Sequence, residues 1–93
     1  MSKRHTLKCW PEDFQSTWDG VKKQETRKND RDYQTGDSLC LLEWDPKTEK
    51  YTGRIMGANV MHVSRGPDWG LPEGLCVMSV EVWERKYLPS SRL

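Results

Sequence analysis

Three apolar segments joined by turn-rich connections place the strongest constraint on how this chain can fold. Residues 38–44 read SLCLLEW, residues 51–64 read YTGRIMGANVMHVS, and residues 75–83 read LCVMSVEVW. Short apolar runs of this kind, bounded by turn formers, are typical of β-strands that pack on a core. The DPKTEK sequence between the first two predicts a hairpin. Gly53 and Gly57 interrupt the middle segment and indicate a bulge or bend there.

The N-terminal part predicts a short strand followed by a helix. Residues 5–10, HTLKCW, alternate in polarity as a half-buried strand does. Pro11 suits the first helical position, where its missing N–H costs nothing. Phe14 and Trp18 are four residues apart and therefore share one face of a helix. Gly20 is suited to end it in the left-handed conformation, so we predict a two-turn helix within this segment.

The chain of 93 residues is predicted to form a single domain. Residues 21–28 read as a further strand, and a polar loop connects them to the strand at 38–44. The predicted order is β-α-β-loop-β-β-loop-β, with a core over residues 5–83 and a loosely held tail over 84–93. We therefore expect a mainly β protein with one or two short helices (α+β), in which a closed or nearly closed barrel has the helix over one opening.

Charge and cysteine content narrow the possible functions. Fifteen basic and fourteen acidic residues give a net charge of +1, which is not the large basic excess typical of duplex-binding proteins. Cys9, Cys40 and Cys76 are widely spaced within apolar segments, so we predict reduced thiols, no disulfide and no metal site. The sequence has no run of 18 apolar residues and no signal peptide, so we expect a cytoplasmic protein without membrane insertion.

Residues 20–37 hold nine charged side chains and are the most polar part of the chain. Glu25 and Arg27 are two residues apart and would share a face of a strand. Such a pair can be a surface ion pair of little energetic value. Alternatively, an arginine held by a carboxylate presents a fixed fork of donors that suits a phosphate or a base edge. Because side chains alternate along a strand, Lys22 would lie on the opposite face from Glu25 and Arg27. It reaches their face if the strand begins to pair with its neighbour only later in this segment.

The tryptophans divide into core and candidate ligand-stacking residues. Trp18, Trp44 and Trp83 lie in apolar contexts and are predicted to belong to the core. Trp10 precedes the helix and is interpreted as its anchor in the core, with base stacking as the alternative. Trp69 lies in the Gly- and Pro-rich segment 65–74, where it would either plug a barrel end or stack on a base.

Several of these features together resemble a known family. HTLKCWP at residues 5–11, GVKKQETRKNDRD at 20–32 and GD at 36–37, which leads into an apolar strand, resemble the ASCH group of the PUA-like superfamily. The similarity is strongest to the small ASCH-like proteins of bacteria and their phages. The resemblance implies a PUA-like β-barrel with a cleft beside the first helix, and an association with RNA or modified nucleosides.

From the resemblance, we predict a binding module for RNA, a nucleotide or a modified nucleoside. We expect it to be a monomer that uses no cofactor. The near-neutral charge favours a flipped base or a small ligand over a long duplex. The predicted ligand-binding residues are Lys8, Trp10, Lys22, Glu25, Arg27, Asn29, Arg31 and Trp69.

Two other functions are compatible with the same resemblance. One ASCH branch is an amidohydrolase that removes the acetyl group from acetylcytidine with a lysine, a threonine and a glutamate. Its lysine corresponds to Lys22, but its threonine position holds Glu25, and Thr26 would face the opposite side of the strand. Its glutamate could be Glu73 or Glu81. Lys22 and Glu25 are therefore the catalytic candidates, although the substitution argues against an enzyme. The third alternative is a phage protein-interaction or host-takeover factor.

Overall fold

The computed structural model describes residues 2–88 as one curled sheet with a single α-helix. The prediction of a mainly β, α+β protein is confirmed. The elements are β1 (Arg4–Cys9), α1 (Pro11–Trp18), β2 (Gln24–Lys28), β3 (Ser38–Asp45), β4 (Lys50–Arg65), a 3₁₀ turn (Asp68–Gly70) and β5 (Leu75–Tyr87).

The five strands form one sheet in the order β1-β3-β4-β5-β2. The strands β3, β4 and β5 are antiparallel neighbours, as the turn-rich connections predict. At one edge β1 runs parallel to β3, and at the other edge β2 runs antiparallel to β5. The sheet curls into a half-barrel, whose two edge strands precede the other three in the sequence. The backbone ladder is therefore open between β1 and β2.

The helix begins and ends where the sequence predicts. Pro11 occupies the first helical position. Gly20 follows the helix with a φ of +78°, a conformation that costs glycine little. Phe14 is fully buried in the core, and the ring of Trp18 lies 5.7 Å from it on the same face. This face attaches the helix to the sheet.

The core is a single cluster of apolar side chains from every strand except β2. It consists of Leu7, Cys9, Phe14, Tyr33, Leu39, Leu41, Met56, Ala58, Val60, Val63, Cys76, Met78 and Val80, with Trp18 and Val82 packed against it. The predicted irregularity in β4 is present, because its register with β5 shifts between Gly57 and Ala58. A Cβ atom at Gly57 would lie only 2.8 Å from the Trp83 ring, so a larger residue here would force the ring to move.

Three sequence predictions about the strands are wrong in detail. Residues 84–87 belong to β5 and not to a loose tail, because the long β4 provides backbone partners as far as Tyr87. The rest of the predicted tail, residues 89–93, lies outside the described residues. Trp83 is 59% exposed and not part of the core, because it lies at the bulge over Gly57. The strand predicted from residue 21 begins only at Gln24, since the preceding N–H groups bond to the end of α1.

Within residues 2–88, no helix has the length and apolar character needed to cross a membrane.

Candidate ligand-binding cleft

A cleft opens between the two edge strands of the sheet, beside the start of α1. Its volume is about 290 Å³. Five of the eight predicted ligand-binding residues line it: Lys8, Trp10, Lys22, Glu25 and Arg27. The remaining lining residues are Cys9, Asp13 and Thr26. Residues that are up to 19 positions apart in sequence thus meet where the backbone ladder is open.

The Glu25–Arg27 pair is the centre of the cleft. Both side chains lie on the same side of β2, as the two-residue spacing predicts. Arg27 Nε donates to Glu25 Oε2 at 3.1 Å. Glu25 is only 3% exposed, so the pair is not the surface ion pair that was one of the two interpretations of the sequence. A buried carboxylate holding a half-buried guanidinium fixes the direction of the guanidinium plane.

Arg27 also connects the two edges of the sheet. Its Nη2 donates to the backbone carbonyl of Lys8 at 2.9 Å and to Cys9 Sγ at 3.2 Å. Burial lowers the pKa of Arg27, but the Glu25 carboxylate more than compensates and the pKa is raised overall. The guanidinium therefore stays charged. Within residues 2–88, Nη1 makes no hydrogen bond to the protein, which leaves its donors for a ligand.

Cys9 is the one thiol among the described residues that line this cleft, and its burial disfavours the thiolate form. Burial and the nearby Glu25 carboxylate raise its pKa to about 12, although Arg27 acts in the opposite direction. At neutral pH the group is therefore a neutral thiol, whereas nucleophilic attack requires the thiolate.

Lys22 enters the cleft because β2 begins late. The backbone N–H of Lys22 bonds to the Ser16 carbonyl at 3.0 Å, which ties this residue to the last turn of α1. Its Nζ lies 3.3 Å from Asp13 Oδ1 on the first turn. The prediction that late pairing brings Lys22 to the cleft is confirmed. Thr26 borders the cleft with an exposed side chain.

The Trp10 indole lines the cleft, and the Lys8 side chain connects the cleft to a second aromatic ring. Trp10 is 50% exposed, so the interpretation of this residue as a core anchor is wrong. It is the N-cap residue of α1, with an extended backbone, and is therefore outside the helical face that carries Phe14. Lys8 Nζ lies 4.0 Å from the centre of the Trp44 ring. This cation–π contact holds the ammonium group near the surface of the sheet.

The other three predicted ligand residues lie outside the cleft lining. Arg31 Nη1 donates to the Thr6 carbonyl at 3.0 Å and forms a second link to β1. Asn29 bonds through its backbone N–H to the Gly74 carbonyl at 2.8 Å, and its buried Oδ1 has no hydrogen-bond partner within residues 2–88. Trp69 is 87% exposed, which excludes the barrel plug. A ligand role for these residues stays a prediction.

Two buried polar clusters were missed by sequence reasoning. Glu43 accepts from Arg54 Nε at 2.9 Å and from Nη2 at 2.8 Å, and the guanidinium lies about 5 Å from the rings of Phe14 and Trp18. Hydrogen bonding to Arg54 outweighs burial and lowers the pKa of Glu43. Glu43 and Arg54 are eleven residues apart on the neighbouring strands β3 and β4. Their contact could have been predicted only from the register of the hairpin. This cluster holds α1 against the sheet.

The second missed cluster surrounds Asp37, the residue after the predicted Gly36 turn. Its buried carboxylate accepts from His5 Nε2 at 2.9 Å and from the backbone N–H groups of Lys3 and Gln34 at 3.0 Å. Burial alone would raise the pKa of Asp37, but these hydrogen bonds outweigh it and lower the pKa. Asp37 therefore ties the start of β1 to the turn before β3.

Residues 4–80 match the model of a protein family described as a domain of unknown function, DUF3850. The chain belongs to this family. The chain is also similar to the "Uncharacterized 12.9 kDa protein in GpA 3'region" of Escherichia phage P2, with 38% identity over 69 residues. The match covers 74% of this chain and 62% of the phage protein, so it spans less than two thirds of the relative's length.

Proposed function

We propose that this domain binds a nucleotide or nucleoside, either free or as part of an RNA, in the cleft between β1 and β2. The observation that carries this proposal is the charged guanidinium of Arg27, which buried Glu25 holds in a fixed orientation at the cleft wall. Phosphates and base edges are recognised by guanidinium groups that are presented in this way.

The rest of the cleft supplies complementary chemistry. Lys8 and Lys22 add two ammonium groups, which attract a phosphate. The half-exposed indole of Trp10 provides a flat surface on which a base can stack, a contact that tolerates every base because each has a π-face. Glu25 and Asp13 balance part of the positive charge, which favours a ligand carrying few charges over a long polyanion.

The size of the cleft also favours a small ligand. At about 290 Å³, it lies just below the range of roughly 300–1,000 Å³ that is usual for small-molecule sites. The net charge of +1 is too small for tight binding to a long duplex, which depends on neutralising many phosphates. A single flipped base or a free nucleotide fits both observations, and the resemblance to the ASCH group of the PUA-like superfamily points to the same class.

The hydrolase alternative is supported by one observation: both catalytic candidates, Lys22 and Glu25, line the same cleft. Against it, the Lys22 ammonium is paired with Asp13 and Glu25 is paired with Arg27. The host-takeover alternative is supported only by the phage relative. In each case we expect the protein to act in the cytoplasm of a bacterium or of a phage-infected host cell.

Titration calorimetry with the four ribonucleoside monophosphates tests the binding proposal. Mass spectrometry of small molecules that co-purify with the protein extends the test to modified nucleosides. We expect at least one nucleotide to bind, and we expect Arg27→Gln to weaken its binding by about ten- to a hundredfold, the loss of one charge-assisted contact of about 1.5–3 kcal/mol.

Arg31→Gln and Arg4→Gln are matched controls for this experiment. Arg31 also links to β1 through a carbonyl but does not line the cleft, and Arg4 is exposed on β1. If the Arg27 guanidinium contacts the ligand in the cleft, Arg27→Gln should reduce affinity more than Arg31→Gln does, and Arg4→Gln should leave it unchanged. Equal losses in Arg27→Gln and Arg31→Gln would mean that the guanidinium in the cleft has no special part in binding, and the proposed contact would be wrong. No binding of any nucleotide, and no co-purified nucleoside, would reject the proposed function.

A further inference from the structure

A second hollow adjoins the cleft and shares Lys22 with it. Its volume is about 330 Å³. It lies where the connection after α1 meets β4 and β5, and its lining consists of Thr17, Gly20, Lys22, Lys23, Met61, Val80, Glu81, Val82 and Arg85. Because Lys22 belongs to both linings, the two hollows adjoin at this residue.

The segment between the two hollows is held firmly by backbone hydrogen bonds. The N–H groups of Val21 and Lys22 both bond to the Ser16 carbonyl at 3.0 Å. The Lys23 carbonyl accepts from Val80 N–H on β5, also at 3.0 Å. Two consecutive lysines are thereby fixed at the boundary. Lys22 extends to Asp13 in the cleft, and Lys23 is exposed in the second hollow.

The second hollow combines positive charge with an apolar surface. Arg85 Nε donates to the Trp18 carbonyl at 2.8 Å, which fixes an exposed guanidinium beside the end of the helix. Met61 is 51% exposed, although it is a large apolar side chain, and half-buried Val82 lies in the same lining. Glu81 is the one acidic residue among the side chains that line this hollow. A flat apolar group flanked by phosphates matches this composition.

We propose that the two hollows hold consecutive nucleotides of one single strand. This inference rests on the proposed function, because the first nucleotide occupies the Arg27 cleft. The phosphate that follows it lies between Lys22 and Lys23. The next base packs on Met61, and its phosphate is near Arg85. A basic groove that follows the backbone, combined with surfaces on which bases stack, is the general arrangement for binding single-stranded nucleic acid.

Binding of uridine monophosphate and of tetrauridylate to the full chain tests this inference. We expect the strand to bind about fivefold more tightly or better, the gain of one exposed ion pair at Lys23 together with apolar contact at Met61. The affinity of the strand should fall more steeply with salt concentration than that of the mononucleotide. Each neutralised phosphate of a single strand adds about 0.7 to the slope of the logarithm of affinity against the logarithm of salt concentration. The same measurement with tetradeoxyuridylate shows whether the ribose 2′-hydroxyl contributes to the affinity.

Lys23→Gln is the decisive variant, because its exposed side chain makes a loss of folding unexpected. It should lower the strand affinity by about two- to fivefold, as expected for the loss of one exposed ion pair, and should leave the mononucleotide affinity unchanged. Lys50→Gln is the control, since Lys50 is an exposed lysine of the β3–β4 hairpin that lines neither hollow. A thermal melt checks that both variants fold.

The possible results separate this inference from the function on which it rests. Equal affinity for the mononucleotide and the strand, with no effect of Lys23→Gln, would overturn the second hollow while leaving the nucleotide cleft intact. An equal loss of both affinities in Lys23→Gln would also overturn it, because Lys23 would then act on the first site. If neither ligand binds, both proposals are wrong.

Discussion

Replacement of Arg27 tests how the open edges of the sheet are held together. Arg27→Gln removes the bond to the Glu25 carboxylate and the bond to the Lys8 carbonyl. A hydrogen bond to a charged group contributes about 1.5–3 kcal/mol, and we take the lower half because the Arg27 side chain is 25% exposed. The bond to the exposed Lys8 backbone adds about 0.5–1.5 kcal/mol. The expected loss of stability is therefore about 2–4 kcal/mol.

Arg31→Gln provides the matched comparison, because Arg31 makes one exposed hydrogen bond to the Thr6 carbonyl on β1, the strand that Arg27 also contacts. Its expected cost is about 0.5–1.5 kcal/mol. Urea denaturation followed by tryptophan fluorescence gives the free energy of unfolding of each variant. Because neither variant changes the surface exposed on unfolding, the m-values should be equal and the midpoints should differ.

A double variant shows whether the loss comes from the pair with Glu25. In Arg27→Gln the Glu25 carboxylate is left buried without its cation, which is costly. Adding Glu25→Gln removes that charge, so the double variant should be less destabilised than the sum of the two single variants, by about 1–3 kcal/mol. If Arg27→Gln costs no more than Arg31→Gln and the two single losses add, the guanidinium does not hold the strands and the reasoning is refuted.

Three further predictions concern pH, exposure and catalysis. Because the pKa of Asp37 is lowered on folding from its ordinary value of 3.8, its stabilising contribution is complete above that value and is lost as the pH falls through the lowered pKa. Acid titrations of Asp37→Asn should therefore lack this decline in stability. Trp69→Ala should change the free energy of unfolding by less than about 0.5 kcal/mol, because the indole is exposed, and a smaller acrylamide-quenchable fraction of the fluorescence in the variant than in the wild type would confirm that exposure, since Trp10 and Trp83 remain exposed in both. We expect no release of cytidine from acetylcytidine above the uncatalysed rate, because Glu25 replaces the threonine of the amidohydrolases; chromatography showing turnover that disappears in Lys22→Ala would contradict this.

Local signals in the sequence were sufficient for most of the elements. Pro11, the Phe14 and Trp18 spacing and Gly20 predicted the helix, because capping and periodicity act within a few residues. The two-residue spacing of Glu25 and Arg27 predicted their shared face for the same reason. Lys8 and Trp10 came from the resemblance, and the structure brings both of them to the cleft.

Features that depend on distant partners could not be predicted. The parallel pairing of β1 with β3 joins segments that are separated by the helix and β2. The extension of β5 through Glu84–Tyr87, a charged sequence, depends on the length of β4. The exposure of Trp83 depends on the register shift between β4 and β5 at this residue, whose ring packs over Gly57. In each case the decisive interaction is with a residue whose position the local sequence does not specify.

The placement of β1 and β2 at opposite edges has a consequence for how the protein forms. The strands β3, β4 and β5 join neighbours in sequence and can pair through local hairpins, which form early. β1 has no partner until β3 has been synthesised, and β2 has none until β5 has been synthesised. The cleft between these two strands therefore assembles only after β5 has left the ribosome. Any chain that ends before β5 should lack this cleft, even if its central hairpin is formed.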